Sequence, residues 1–198
     1  MNKLYKKNKI AFQTNENIWN NINILTSKKK KWNFFLKNVN NTNKPKPKNL
    51  KDLYKRRLLA KQKFKKFYGC IADYQLKNIF SLFKQKEQTM NLVAIFLERR
   101  LDMVLYRMGF VSSIFEAKQL IFCKKVYINN VLVKSSNYQL NEGDVISISK
   151  YKTNIKNVPV YLEYNKKLKK VIFLRNPEIN EIEYPFSSEL NLVSESFL

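Results

Sequence analysis

The sequence contains no histidine in its 198 residues. That excludes Ser-His-Asp and Cys-His nucleophile pairs and any imidazole metal ligand. Cysteine is limited to Cys70 and Cys123, too few for a four-thiolate zinc site or a disulfide framework, so the chain reads as intracellular. Its 3 glycines form neither a GxGxxG nor a GxxxxGK pattern, so no phosphate-cradling loop is expected. No apolar run reaches the ~18 residues of a membrane helix. No cofactor and no zinc are expected. Acidic residues are also scarce, 15 Asp+Glu against 38 Lys+Arg, for a net charge of +23. The excess is uneven: net +18 over residues 1–70, +4 over 71–150 and +1 over 151–198. Such a chain repels itself unless a polyanion neutralises it, which points to nucleic acid or an anionic membrane. The basic stretch 51–68 has no broad apolar face opposite its lysines, which disfavours a membrane surface.

What is abundant follows codon chemistry. Asn (25) and Lys (32) dominate, while Arg (6) and Ala (5) are rare. Lys and Arg are not equivalent at bidentate phosphate sites, so A/T-rich codon supply explains much of the skew. An A/T-rich organelle genome fits, as does an A/T-rich microbe. The basic start, Met-Asn-Lys-Leu-Tyr-Lys-Lys, has no apolar signal core, cleavage site or Ser/Arg-rich transit composition. A protein made inside an organelle needs none.

Residues 1–50 are polar and aperiodic, with a four-lysine run (Lys28, Lys29, Lys30, Lys31) followed by Trp32. The stretch Lys44-Pro45-Lys46-Pro47-Lys48 cannot be helix interior. It reads as a linker or an RNA-tracking arm, with a solvated tail as the alternative. Residues 51–68 predict a helix opened by Asp52, carrying Phe64, Phe67 and Tyr68 on one face and stopped by Gly69. The seven basic residues that follow Asp52 have no further acid at i, i+4 spacing, which favours phosphate contact over a solvated face. A second helix starts at Asp73 and runs to about Lys86. An apolar segment spans 91–97, and Leu101, Val104, Leu105 and Met108 form a stripe ending at Gly109. Ser113 and Glu116 form a capping box for the next helix, with Ala117, Leu120 and Ile121 facing inward. Strands at 126–128 and 131–133 flank an Asn129-Asn130 turn, and Asn141-Glu142-Gly143-Asp144 turns into a strand at 145–148. A later hairpin pairs 160–164 with 169–174. From Pro177 the tail carries Glu178, Glu181, Glu183, Glu189 and Glu195 and no Lys or Arg. It is suited to pair with the basic half or with a basic partner; solvated surface is the alternative.

The order of these motifs resembles a known family. The run from Glu98-Arg99-Arg100-Leu101-Asp102 to Tyr106-Arg107-Met108-Gly109-Phe110 looks like the opening of an S-four RNA-binding domain. It is followed by Glu116-Ala117-Lys118-Gln119-Leu120-Ile121, Val126-Tyr127-Ile128-Asn129, Asn137-Tyr138 and Gly143-Asp144-Val145-Ile146 in matching order. Outside that module, Lys61 to Gly69, Pro159 to Glu163 and Pro177-Glu178 resemble flanking parts of the small-subunit ribosomal protein S-four family, so the likeness covers roughly 50–198. Phe12-Gln13-Thr14, Ile18-Trp19-Asn20 and the Lys28–Trp32 cluster look more like its mitochondrial versions. There are departures. Ile114 stands where the family usually has a basic residue, which removes that RNA contact, and Asn130 replaces the usual turn glycine. Cys123 and Lys125 stand at family histidines, and Cys123 is expected to be a small buried side chain.

The resemblance implies an α+β fold: a helical domain with a basic N-terminal extension, plus an α/β RNA-binding module of two helices on a short, mostly antiparallel sheet. The implied domains are 1–50, 51–97 completed by 176–198, and 98–175. It further implies a non-enzymatic constituent of the small ribosomal subunit, binding 5′-domain rRNA early in assembly, lying near incoming mRNA, touching ribosomal protein S-five and affecting decoding accuracy. The expected RNA-facing residues are Lys55, Arg56, Arg57, Lys61, Lys63, Lys65, Lys66 and Tyr68 of the basic helix. In the module they are Arg99, Arg100, Arg107, Ser112, Ser113, Lys118, Gln119, Lys124 and Lys125. Asp102 has the alternative of pairing with an arginine, and Tyr138 is expected to pack rather than stack. A mitochondrial matrix location is expected, with a plastid, an apicoplast or an A/T-rich bacterium as alternatives. The functional alternatives are a pseudouridine-synthase-type enzyme or a ribosome-associated RNA chaperone with the same module. The first needs a catalytic domain for which the roughly 50 residues after the module show no constellation.

Overall fold

Helix α1 (Leu50–Phe67) begins with Asp52 in its first turn and ends where Gly69 takes φ 78°, the left-handed geometry that closes a helix. The computed structural model describes residues 14, 16, 18, 50–84, 86, 88–149, 158–165, 167–186 and 189–197. The lysine arm with Trp32 and the proline linker lie outside them. The chain divides into two units, Met1–Asn78 with Tyr184–Leu198, and Ile79–Glu183. The division runs through helix α2 (Asp73–Phe83).

In the first unit, the Phe64, Phe67 and Tyr68 face of α1 is at most 1% exposed. Phe67 lies edge-on to Tyr68, Tyr184 and Phe186, with centroids 5.1–5.6 Å away. Ile18, Leu76 and Val193 are also buried. Burying each such side chain stabilises by roughly 1.5–3 kcal/mol. Val193 belongs to the short C-terminal helix α6 (Leu190–Glu195), which packs on α1.

The second unit holds α3 (Thr89–Glu98), α4 (Leu101–Arg107) and α5 (Ile114–Phe122). The sequence reading assigned α3 to the helical domain. In the structure it contacts both neighbours, α2 through Phe96 edge-on to Phe83 at 5.8 Å and α4 through Glu98 bonded to Arg107, and it falls in the second unit. The five strands are β1 (Val126–Ile128), β2 (Val131–Leu132), β3 (Val145–Ile148), β4 (Leu162–Asn165) and β5 (Lys170–Phe173). They form one antiparallel sheet in the order β2-β1-β3-β5-β4. Asn129 and Asn130 take φ 49° and 66°, so the two-residue hairpin has the left-handed pair its twist requires. Alternate residues Val126, Ile128, Ile146, Val171 and Phe173 bury against Leu101, Val104, Leu105, Ala117 and Ile121 of α4 and α5. The period of two in the strands and 3.6 in the helices thus meet in one core. The two turns flanking β1 and β3 are tied together. Asn129 Nδ2 donates to Asp144 at 2.9 Å, the Val145 N–H donates to Asn129 at 3.0 Å, and the Asn141 N–H donates to Asp144 at 2.8 Å.

The capping box shifts by one residue. Ser113 Oγ accepts from the Glu116 N–H at 3.3 Å as expected, but the Glu116 carboxylate reaches Ser112 instead of Ser113. It accepts from the Ser112 N–H at 2.8 Å and its hydroxyl at 2.9 Å. Cys123, expected to be buried, is exposed. Ile114 is wholly buried at the start of α5, so an apolar side chain suits that position.

Candidate nucleic-acid interface

The α1 cations are positioned by helix geometry and held by acids distant in sequence. The Arg56 guanidinium forks onto Glu189 with two hydrogen bonds of 2.8 Å, and Arg57 pairs with Glu195 at 2.6 Å. Lys61 and Lys65 share Asp73 at 3.3 and 2.7 Å. Lys63 is buried and pairs with Glu16 at 2.7 Å. Burial pulls the Lys66 ammonium below its usual pKa, with smaller opposing and reinforcing effects from Cys70 and Lys65. The absence of i, i+4 partners was read correctly, but Glu16, Asp73, Glu189 and Glu195 supply partners from elsewhere. Tyr68 is corrected outright as an RNA-facing side chain. It is 0% exposed, and its hydroxyl shares a 2.8 Å hydrogen bond with that of Tyr184. Lys55 remains exposed on this helix.

In the module, the three arginines of the opening motif serve the fold. Arg99 donates twice to the Leu140 carbonyl, at 3.1 and 2.8 Å, and once to Asn141. Arg100 is only 5% exposed and forks onto Asp102 at 3.1 and 2.7 Å, with a third bond to Asn137 at 2.9 Å. This corrects its assignment as an RNA-facing side chain and realises the Asp102–Arg pairing. Burial pushes the Asp102 carboxyl up, opposed by Arg100, Lys118 and the Met103 N–H. Arg107 forks onto the fully buried Glu98 at 2.9 and 2.8 Å and donates to the Glu183 carbonyl at 2.7 Å. Ser113 is buried as a cap. Ser112 is exposed and bonded to Glu116. Tyr138 is 38% exposed, more open than its expected packing role.

A surface does remain. Gln119, Lys124 and Lys125 are exposed, and Lys118 is half-buried with its ammonium 3.8 Å from Asp102. These residues surround the end of α5. The Lys124 N–H donates to the Ile121 carbonyl at 3.0 Å and the Lys125 N–H to the Leu120 carbonyl at 3.2 Å, a Schellman closure. That closure places Lys124 at φ 57°, a position glycine usually takes. A lysine there bears backbone strain and projects a charge from the turn. Phe122, 81% exposed, stands in the same turn. It was overlooked, although its place outside the Ala117, Leu120 and Ile121 stripe signals an outward face.

Among the described residues no helix is long and apolar enough to cross a membrane, and no three His, Cys, Asp or Glu side chains gather as metal ligands. Helices α4 and α5 with the closing turn, strands β1 and β2 and the start of β3 define a class of RNA-binding module: the S4 domain family matches residues 99–146. Relatives extend the likeness. The chain is 34% identical to the small ribosomal subunit protein uS4 of Orientia tsutsugamushi, covering 73% of this chain and 76% of the relative. It is 36% identical to the uS4 protein of Pelagibacter ubique, over 71% and 74%. It is also 36% identical to uS4m of Reclinomonas americana, over 71% of this chain and 64% of that one. The chain belongs to the uS4 family of small ribosomal subunit proteins, which are structural proteins rather than enzymes.

Proposed function

We propose that the chain binds small-subunit rRNA as a primary structural protein of the 5′ domain, nucleating assembly and later lining the region where mRNA enters. The contact with ribosomal protein S-five and the effect on decoding accuracy follow from the same reading. The observation that carries it is the exposed Gln119, Lys124 and Lys125 turn on a module of the S4 domain family. Lysine ammoniums and a glutamine amide suit phosphate oxygens and backbone hydroxyls. Lys55, Arg56, Arg57 and the Lys28–Lys31 arm with Trp32 supply further charge, Lys118 lies on α5 ahead of the turn, and Ser112 stands before the start of that helix. Residues 1–50 act as the RNA-tracking extension, and the basic helix with the C-terminal segment acts as a second rRNA-binding body.

A mitochondrial ribosome is the proposed location. The A/T-driven composition and the likeness to uS4m support it, although the bacterial relatives are equally similar.

The test is binding of the full chain to a 5′-domain rRNA fragment across a salt series. With ~6–10 phosphates neutralised, affinity should fall by about 10³–10⁵ between 50 and 200 mM salt. A flat response, or equal affinity for unrelated RNA under stringent salt, overturns the proposal. Sedimentation of the tagged protein in free fractions of a lysate, rather than with small subunits, also counts against it.

A further inference from the structure

The first unit contains a hollow of about 430 Å³ lined by Lys61, Asp73, Tyr74, Lys77, Ser196 and Phe197. That volume falls in the range of small-ligand sites. Three of the residues come from the first turns of α2, where Asp73 and Lys77 sit at i, i+4 on one face. Tyr74 is 66% exposed, so its ring is accessible. The opposite wall is the C-terminal segment. Lys61 bridges the two sides, its ammonium 4.2 Å above the Phe197 ring centroid and 3.3 Å from Asp73.

The donor set is specific in kind. Lys77 offers an ammonium group, and Tyr74 an exposed aromatic ring. The hydrogen bond from Lys65, with charge attraction from Lys65 and Lys61, holds the Asp73 carboxyl below its ordinary pKa, so it is an acceptor at neutral pH. Ser196 Oγ donates to the Val193 carbonyl at 2.7 Å, so toward a ligand its hydroxyl can serve only as an acceptor. A flat, apolar-faced group with an exocyclic amine and an attached anion satisfies all four. An aliphatic or purely anionic ligand leaves Tyr74 or Asp73 unmatched.

We propose that this hollow holds a single unpaired nucleotide of the bound RNA, its base stacked on Tyr74, its amino group donating to Asp73 and its phosphate on Lys77. The inference rests on the RNA-binding reading above and adds a site that the module does not contain. Lys61, already fixed between Phe197 and Asp73, needs little reordering when the nucleotide arrives, and preordered side chains lower the entropy cost of binding.

The experiment is equilibrium binding of the full chain to the 5′-domain fragment and, separately, to a fully paired RNA duplex of equal length. Base–aromatic stacking of ~1–3 kcal/mol corresponds to about a 5- to 150-fold loss for Tyr74→Ala on the fragment. The same variant should bind the duplex within about twofold of the parent. Tyr74→Phe should restore fragment affinity. Lys77→Gln should reduce the magnitude of the salt slope by about 1. Thermal melting of each variant serves as the folding control, and the exposure of Tyr74 predicts little change. Parental affinity of a folded Tyr74→Ala for the fragment, or an equal loss on fragment and duplex, overturns the nucleotide site. Those results leave the rRNA reading standing if the parent still binds the fragment tightly and Lys124→Gln weakens it; absence of parental binding overturns the rRNA reading itself.

Discussion

The basic helix α1 and the turn closing α5 both bring lysines to the surface, yet they use charge in opposite ways. Helix α1 lies in the region with most of the chain's excess charge, but Arg56, Arg57, Lys61, Lys63 and Lys65 each have an acidic partner. The α5 turn belongs to a mildly basic region, net +4 over residues 71–150, and leaves Lys124 and Lys125 exposed. Net charge therefore does not by itself say which cations are open to a polyanion; exposure and pairing do. Exposed ion pairs contribute only ~0.2–1 kcal/mol, so phosphates can replace the Glu189 and Glu195 carboxylates at modest cost. Buried pairs such as Arg100–Asp102 cannot be exchanged that way.

The comparison can be broken first at that buried pair. Asp102→Ala leaves the Arg100 guanidinium buried and unpaired, and should destabilise the protein by about 3–5 kcal/mol in denaturant unfolding. A loss under about 1 kcal/mol would show that Arg100 reaches solvent, reopening it as an RNA contact. Next in size is Lys124→Gly. Removing a side chain from φ 57° should stabilise by about 1 kcal/mol while weakening rRNA binding, so a melt and a binding curve move in opposite directions. Binding that strengthens with stability would place the RNA contact elsewhere.

Glu189→Gln with Glu195→Gln is the counterpart on α1. Stability should change by no more than about 1 kcal/mol per pair, while affinity for unrelated RNA rises and its salt slope steepens as two guanidiniums are released. An unchanged salt slope would mean that Arg56 and Arg57 serve only the fold. The smallest effect is on acid stability. Asp73 is held below its ordinary pKa chiefly by the hydrogen bond from Lys65, so its contribution is present above the unfolded value near ~3.9 and is lost as pH falls through the folded value. Asp73→Asn should remove that part of the acid transition. Identical acid curves for parent and variant would show that the Lys65 contact carries no stability.

The helical stripes, the Asn129-Asn130 hairpin and the strand alternation were legible because each is set within a few residues. So was the family, through the ordered motifs around Arg99, Ala117, Asn129 and Asp144. The site was only partly legible. Arg99, Arg100 and Arg107 read as RNA-facing because sequence reveals a guanidinium but not the Leu140 carbonyl, Asp102 or Glu98 that occupies it. Tyr68 read as RNA-facing for the same reason, since sequence does not show the Tyr184 hydroxyl that it meets. The neighbours of helix α3 were not legible, because an apolar segment without a polar face indicates burial but not the partner.

The sequence by itself determined the elements, the polyanion-binding character and the family, since propensity, periodicity and charge act locally or by composition. Only the tertiary structure decided which cations remain available. Partners for Arg56 and Arg57 lie more than a hundred residues along the chain, and hydrogen-bond exchange depends on distance in space. It also decided that the late hairpin joins β3 of the module, because β-strand pairing is a non-local choice among edges that local sequence does not rank.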